Sequence, residues 1–370
     1  MNSCSLCDVK LTLENDSKEH IIPNSVGGRK KTKGFLCQTC NSKTGDEWDT
    51  VLSEQLNPLS LIFFIQRERG DPPSQTFNTS EGISLTLHSE GGMSPAKVDF
   101  KEEIVDGKTK IRIVARDMRE AKSILKGVKK KHPSIDIEKL TFGLQPTQEY
   151  LSGMLEFDLT LGGVSAGKSI VKSALALAHS VGVASNSCEQ ALQYLRDDGI
   201  PCFGYYYEKD LVINRPPKIP LHCVAIHGNP ETGLLLGYIE YFGIHRIVIC
   251  LSERYRGKAL SASYSVDPTT GAELILKVDI ALNQDDIQET YNYEKYDSAK
   301  VRQCFEEVIP VALEMSEKRE QARVISEATD FAFKNCGAKE GEALTAEQYK
   351  KLCQLMAEKL TPYLLHVWKT

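Results

Sequence analysis

Four cysteines near the start of the chain have the spacing of a metal site. Cys4-x-x-Cys7 and Cys37-x-x-Cys40 can each fold into a tight knuckle that presents two sulfurs, and four thiolates close one tetrahedral zinc. Such a site is full and structural, with no open position for a reaction. The loop between the pairs is longer than a simple zinc ribbon needs, and the reactive residue types sit there. It carries Glu19-His20-Ile21-Ile22-Pro23, then Gly27-Gly28, then the basic run Arg29-Lys30-Lys31-Thr32-Lys33. Asn41-Ser42-Lys43-Thr44-Gly45-Asp46 follows the second pair directly. The remaining cysteines (Cys188, Cys202, Cys223, Cys250, Cys304, Cys336, Cys353) are scattered singly and read as small buried apolar residues.

The order Cys-x-x-Cys, Glu-His-Ile-Ile-Pro, Gly-Gly, Cys-x-x-Cys-Asn-x-Lys over about residues 1 to 55 resembles the zinc-knuckle branch of the HNH endonucleases. In layout it is similar to the HNH domain of the RNA-guided CRISPR nucleases. The resemblance implies a ββα-metal core, in which a hairpin carries the acid–histidine pair and the following helix carries the asparagine. It assigns His20 as the general base that takes a proton from water, a task suited to an imidazole with an ordinary pKa near 6.5. It assigns Glu19 and Asn41 as ligands of a divalent cation. Hard oxygen donors, with waters and a phosphate, suit Mg²⁺ or Mn²⁺ better than zinc. Asp46 is a lesser candidate for a ligand or water holder.

The chain also departs from the family pattern. The middle asparagine of the family name, which holds the histidine ring, is missing from Lys31-Thr32-Lys33-Gly34-Phe35-Leu36, where Thr32 or a backbone carbonyl would have to serve. The final histidine is replaced by Asn41. Beside this motif, Arg29, Lys30, Lys31, Lys33 and Lys43 are expected to touch phosphates, with Arg67 a lesser candidate.

A second pattern competes for attention. Gly162-Gly163-Val164-Ser165-Ala166-Gly167-Lys168-Ser169 fits the phosphate-loop motif Gly-x-x-x-x-Gly-Lys-Ser. Gly162, Gly167, Lys168 and Ser169 would be its nucleotide-binding residues. Against this, no strand ends in a suitable magnesium-holding Asp, and the surroundings lack regular β–α alternation. The same residues also make a helix start with Ser165 as cap. Tyr205-Tyr206-Tyr207 reads as strand and core, and His222, His227 and His245 read as structural residues near strand ends.

The elements that must position these residues follow from periodicity. A helical stretch is expected over residues 45–69, broken at Asn57-Pro58, with Gly70-Asp71-Pro72-Pro73 as a clear breaker. Alternating strands are expected over 76–115, with a hairpin turn at Asp106-Gly107, then a helix over 118–131 whose lysines form a solvated face. A strand over 154–161 and helices over 166–183 and 188–198 come next. Strands are expected over 202–207, 211–214, 222–227, 237–242, 246–252 and 259–266. Helices over 298–315, 317–335 and 345–368 end the chain. The expected fold class is α+β, with an HNH module and Cys4 zinc knuckle over 1–70. A larger α+β accessory or regulatory region over 71–370, of mostly antiparallel strands and a helical C-terminus, follows it, with possible divisions near 150 and 298.

The 370 residues carry a formal net charge of −5, which argues against a surface basic throughout but leaves room for one positive cleft. No run approaches the roughly 18 apolar residues of a membrane span. Met1-Asn2-Ser3-Cys4 does not open a secretory signal, so a cytosolic protein is expected. The expected function is metal-dependent cleavage of DNA, in a restriction-like or anti-phage defence setting. The rival readings are a nuclease gated by a nucleotide or other ligand, and a catalytically inactive zinc-knuckle protein that only binds DNA. The oligomeric state is open, and a homo-oligomer is one possibility.

Overall fold

The computed structural model describes residues 3–368 except Gly107, Gly143, 145–148, Ser152 and Asp198. Between the two knuckles the chain is too rich in turns for long strands. It forms a hairpin with two residues in each arm, β1 (Glu19–His20) and β2 (Lys31–Thr32). Glu19 lies opposite Thr32, and His20 lies opposite Lys31. A 3₁₀ turn over Asn24–Val26 is closed by Gly27 in the left-handed region at φ 95°. Gly28 is there for space: a Cβ at this position would lie 1.8 Å from the carbonyl oxygen of Ile22. The Gly-Gly of the motif is thus a steric requirement of the turn.

Cys37 caps the helix that follows, α1 (Gln38–Thr44), its sulfur accepting from the Cys40 N–H. The helix runs on through a π turn, Gly45–Asp49, into α2 (Thr50–Ile62). The break expected at Asn57-Pro58 does not occur, and Pro58 lies inside α2. The missing N–H removes the helical bond to the Glu54 carbonyl, and the helix continues for four residues beyond it. Asn57 holds the spot from the side by donating to the Pro73 carbonyl and the Gln75 side chain, at 2.9 and 2.8 Å.

Three short strands, β3 (Gln75–Thr79), β4 (Ser84–Leu87) and β5 (Met93–Pro95), precede a ribbon of β6 (Asp99–Val105) and β7 (Lys108–Val114). The pairing of Val105 with Lys108 leaves a two-residue connection, of which Gly107 lies outside the described residues. Then come α3 (Met118–Lys131), α4 (Ile137–Phe142) and β8 (Leu155–Glu156), the last much shorter than the strand expected over 154–161.

The next helix, α5 (Gly163–Ser180), is buried without a break from Ala166 to Ala178. A helix buried on all sides is a core element, and its small residues let neighbours approach closely. It is followed by α6 (Glu189–Asp197) and by six strands: β9 (Phe203–Tyr205), β10 (His222–Asn229), β11 (Leu234–Tyr241), β12 (His245–Ser252), β13 (Leu260–Val266) and β14 (Glu273–Leu274). They form one antiparallel sheet in the order β14-β13-β10-β11-β12-β9. The strand expected over 211–214 is reduced to a single bridge between Val212 and Val278. Three helices end the chain, α7 (Gln284–Tyr291), α8 (Ser298–Asn335) and α9 (Ala346–Val367). The two helices expected over 298–335 are one, because no breaker lies between Met315 and Glu317 and the helix passes through Pro310.

The fold class is α+β, and the chain divides into two compact units. The first comprises Met1–Phe77, Thr86–Met93 and Glu156–Val311, and the second Asn78–Leu85, Ser94–Leu155 and Ala312–Thr370. In the first unit the zinc-knuckle segment shares its core with α5 and the six-stranded sheet. His222 of β10, fully buried, lies 2.8 Å from the Val26 carbonyl through Nε2, while its Nδ1 accepts from the Phe242 N–H at 3.0 Å. The Tyr264 hydroxyl accepts from the Arg29 and Lys30 N–H groups, both at 3.1 Å. The second unit is built around the β6–β7 ribbon, α3, and the pairing of α8 with α9 through Ala332, Cys336 and Leu352.

Candidate active site

The four sulfurs of Cys4, Cys7, Cys37 and Cys40 lie within 4.8 Å of one another. Sulfurs at about 2.3 Å from a tetrahedral zinc stand roughly 3.8 Å apart, and Cys7 and Cys37 Sγ are separated by 3.7 Å. The residues present therefore fit a structural zinc. The knuckle is tied to its surroundings: Arg196 donates to the Ser5 carbonyl and to Asp8, at 2.7 and 2.8 Å, and the Ser5 and Ser185 hydroxyls are 2.6 Å apart.

Above the knuckle, β1, the loop after it and the α1–α2 helix enclose a cleft. Glu19, His20, Asn41, Asp49, Glu54 and Arg67 are among its lining residues. The hairpin supplies Glu19 and His20, and the helix capped by Cys37 supplies Asn41. The π turn widens the helix by one residue per turn, and Asp49 lines the same cleft as Asn41. The aspartate brought into the cleft is Asp49; the sequence candidate Asp46 is exposed.

Adjacent residues on a strand face opposite ways, and here Glu19 is buried while His20 is partly exposed. Glu19 meets α5. The Lys172 ammonium lies 2.7 Å from Glu19 Oε1, 2.6 Å from Asp49 Oδ2 and 3.4 Å from Thr44 Oγ1, and its side chain is only 1% exposed. All three of its N–H bonds thus have an oxygen to meet. Ser169, one turn earlier on α5, donates to Asp49 Oδ1 at 2.5 Å. Burial pushes the Glu19 carboxyl up, and Lys172 pulls it back only in part. Burial also opposes the charge on Lys172, but Asp49 and Glu19 outweigh it and keep the ammonium protonated beyond the ordinary lysine range.

At the mouth of the cleft, His20 Nε2 lies 3.2 Å from Glu68 Oε2, the same oxygen that Lys31 Nζ approaches at 2.5 Å. Burial pushes the His20 pKa down, and the hydrogen bond to Glu68 offsets part of that. Lys31 and then His20 hold the Glu68 carboxyl down at about 2. Arg67 also lines the cleft, and its Nε and Nη2 are buried without a hydrogen-bond partner among the described residues.

The basic run is partly committed within the chain. Arg29 donates to the Gln66 carbonyl at 3.2 Å, and Lys30 lies 3.6 Å from Glu273 and over the Tyr264 ring. Lys31 is paired with Glu68. Lys33 and Lys43 are exposed, the Lys33 carbonyl lying 3.1 Å from His179 Nε2.

The segment Gly162–Ser169 is helix from Gly163 onward, where a phosphate loop would need open backbone. Gly167 is dictated by packing, since a Cβ there would fall 2.5 Å from the Phe203 ring and 2.6 Å from the Tyr194 hydroxyl. Lys168 is buried and lies over the Trp48 ring, and Ser169 is the partner of Asp49. The motif's residues thus serve the interior of this unit, two of them against the α1–α2 helix.

Glu19, His20 and Asn41, singled out in the sequence, are brought together. Asp49, Glu68 and Lys172 were not anticipated. Asp49 follows Asn41 by eight positions, a signal masked by the π turn. Lys172 could have been suspected as a charge, with Lys168, in a helix of mostly small and apolar residues. Glu68 carries no local signal.

No helix among the described residues is long and apolar enough to cross a membrane. No curated protein and no solved structure matches the chain. Residues 4–57 match the family model described as HNH endonuclease. That span contains the four cysteines, both arms of the hairpin, Asn41 and Asp49, so the segment that builds the knuckle and most of the cleft is an HNH endonuclease domain.

Proposed function

We propose that the chain is a metal-dependent endonuclease that hydrolyses phosphodiester bonds in DNA, with His20 as general base. The observation that supports this best is that Glu19, His20 and Asn41 line one cleft inside the span that matches the family. Glu19 and Asn41 offer hard oxygens, a donor set that fits Mg²⁺ or Mn²⁺. Bound there, such an ion would neutralise charge on the phosphate and the leaving oxygen. His20, kept neutral near pH 7 by its lowered pKa, takes the proton from the attacking water. Lys33 and Lys43 are exposed to meet the flanking phosphates, and Arg29, Lys30 and Lys31 add positive charge beside them. Residues 71–370 act as the accessory region that decides where or when the site cuts. Within that reading, we place the protein among restriction-like or anti-phage defence effectors.

The test is cleavage of supercoiled plasmid in Mg²⁺ or Mn²⁺, with His20→Ala beside the wild type. The expected result is nicking or linearisation by the wild type and at least a thousandfold loss in the variant. Equal cleavage by both would remove His20 from the mechanism. No cleavage by either, in any metal or with any DNA, would remove the nuclease reading.

A further inference from the structure

We propose that Glu68, outside the span that matches the family, is the residue that orients the His20 ring. The inference rests on the nuclease reading for its consequence, though not for its geometry. In the family pattern an asparagine in the second hairpin arm would do this work, and that arm has none. Thr32, the nearest candidate by type, is excluded by register: it is buried opposite Glu19, whereas the residue opposite His20 is Lys31. A lysine ammonium only donates, and it cannot accept a hydrogen from a ring nitrogen.

Glu68 fills this role by position. Its Oε2 lies 3.2 Å from His20 Nε2. A carboxylate only accepts, so the contact requires the hydrogen to sit on Nε2. The Nδ1 of the neutral ring is then left with its lone pair, as the atom able to take a proton. Fixing a histidine's tautomer through a carboxylate on its other nitrogen is a general device for keeping an imidazole ready as a base.

The backbone around Glu68 is held in place, which a chance surface contact would not need. The Glu68 N–H donates to Asn24 Oδ1 at 2.8 Å, and the Gln66 N–H donates to the Pro268 carbonyl at 3.0 Å. Arg29 Nη2 donates to the Gln66 carbonyl at 3.2 Å. Lys31 then holds Glu68 Oε2 from the other side at 2.5 Å. The 3₁₀ turn, the basic run and the connection between β13 and β14 all contribute to placing one carboxylate against one ring nitrogen. Lys31 is therefore a support for Glu68, in addition to any contact with DNA.

The test reads the ring directly. Zinc-loaded protein without added Mg²⁺, labelled with ¹⁵N-histidine, is examined at pH 8 by long-range ¹H–¹⁵N correlation, and the His20 signals are assigned by their loss in His20→Gln. The expected wild-type spectrum has the hydrogen on Nε2 alone. Glu68→Ala should give a mixture of the two tautomers, with kcat for plasmid cleavage down about 10- to 100-fold and KM within about threefold. Glu68→Gln, whose amide oxygen still accepts, should keep the tautomer and stay within about threefold of wild-type kcat. An unchanged tautomer in Glu68→Ala would overturn the proposal. So would a faster Glu68→Ala enzyme, which would make the carboxylate a plug on the site. If the wild type cuts no DNA at all, the nuclease reading fails, while the spectra still decide whether Glu68 sets the ring.

Discussion

The buried Lys172 and the partly buried Asp49 form an ion pair 2.6 Å long, although 123 positions separate them in the chain. The same ammonium holds Glu19 on the opposite side, so one residue of α5 ties the hairpin to the α1–α2 helix. The HNH span therefore lacks part of its own support. Two carboxylates that line a cleft, Glu19 buried and Asp49 partly buried, depend on a cation supplied from the core helix of the larger region.

Replacing Lys172 with Met leaves a side chain of similar length but strands the buried Glu19 carboxylate and the partly buried Asp49 carboxylate without their cation. Removing one partner of a buried pair costs about 3–5 kcal/mol, because the charges left behind are uncompensated. The expected outcome for Lys172→Met is a loss of that order in guanidinium unfolding of the zinc-loaded protein, with cleavage reduced as well. A variant as stable as the wild type would mean that Glu19 and Asp49 find other partners when Lys172 is absent.

The zinc knuckle has a further role in placing Asn41, since Cys37 is both a candidate ligand and the cap of α1. Denaturing the purified protein in the presence of a chromogenic chelator should release about one zinc per chain. Cys37→Ser should release none and unfold at a lower temperature, because it forfeits the metal while its hydroxyl can still cap α1. Zinc content equal to the wild type in Cys37→Ser would dismiss the four-sulfur site.

How much of this was legible beforehand differs between elements. The Cys-x-x-Cys pairs, Glu19-His20 and Asn41 announce themselves because each is a rare local pattern; the four sulfurs cluster together, and Glu19, His20 and Asn41 line one cleft. The phosphate-loop pattern, already weighed against in the sequence, has a different physical origin. Gly167 is small because Phe203 and Tyr194 lie against it, and Ser169 is polar because Asp49 needs a donor. Packing and buried polar pairing selected the same letters that phosphate binding would select. Glu68 could not be read at all: its meaning lies in a contact 48 positions away, set by the path of a loop.

His222 offers a pH prediction with a definite sign. Its Nδ1 accepts from the Phe242 N–H, so its Nε2 carries the hydrogen and donates to the Val26 carbonyl. Complete burial pushes its pKa down to about 4. A folded value below the unfolded one means that the unfolded chain takes the proton first as pH falls. The stability is complete above about pH 6.5 and drains away between there and about pH 4, at up to about 1.4 kcal/mol per pH unit. Urea midpoints measured from pH 7.5 to 5 should fall for the wild type and fall less steeply for His222→Gln. Equal slopes would show that His222 is not the group responsible.

Arg67 is the residue where stability and function should move in opposite directions. Its Nε and Nη2 are buried with no partner among the described residues, an arrangement that costs about 1–3 kcal/mol for an unsatisfied buried group. Burial lowers its pKa, with Asp71 offsetting part of that, which is the mark of a cation short of counter-charge. These two nitrogens form one side of the planar guanidinium fork, the side suited to two oxygens of a phosphate, and Arg67 lines the cleft with His20. Arg67→Leu should therefore be as stable as the parent or more stable, since it removes the orphaned groups. In a His20→Ala background that binds without cutting, it should weaken duplex binding about tenfold and make that binding less sensitive to salt, as loss of one phosphate contact requires. Fluorescence anisotropy at several salt concentrations measures both quantities. Loss of stability with unchanged DNA affinity would assign Arg67 to the fold alone.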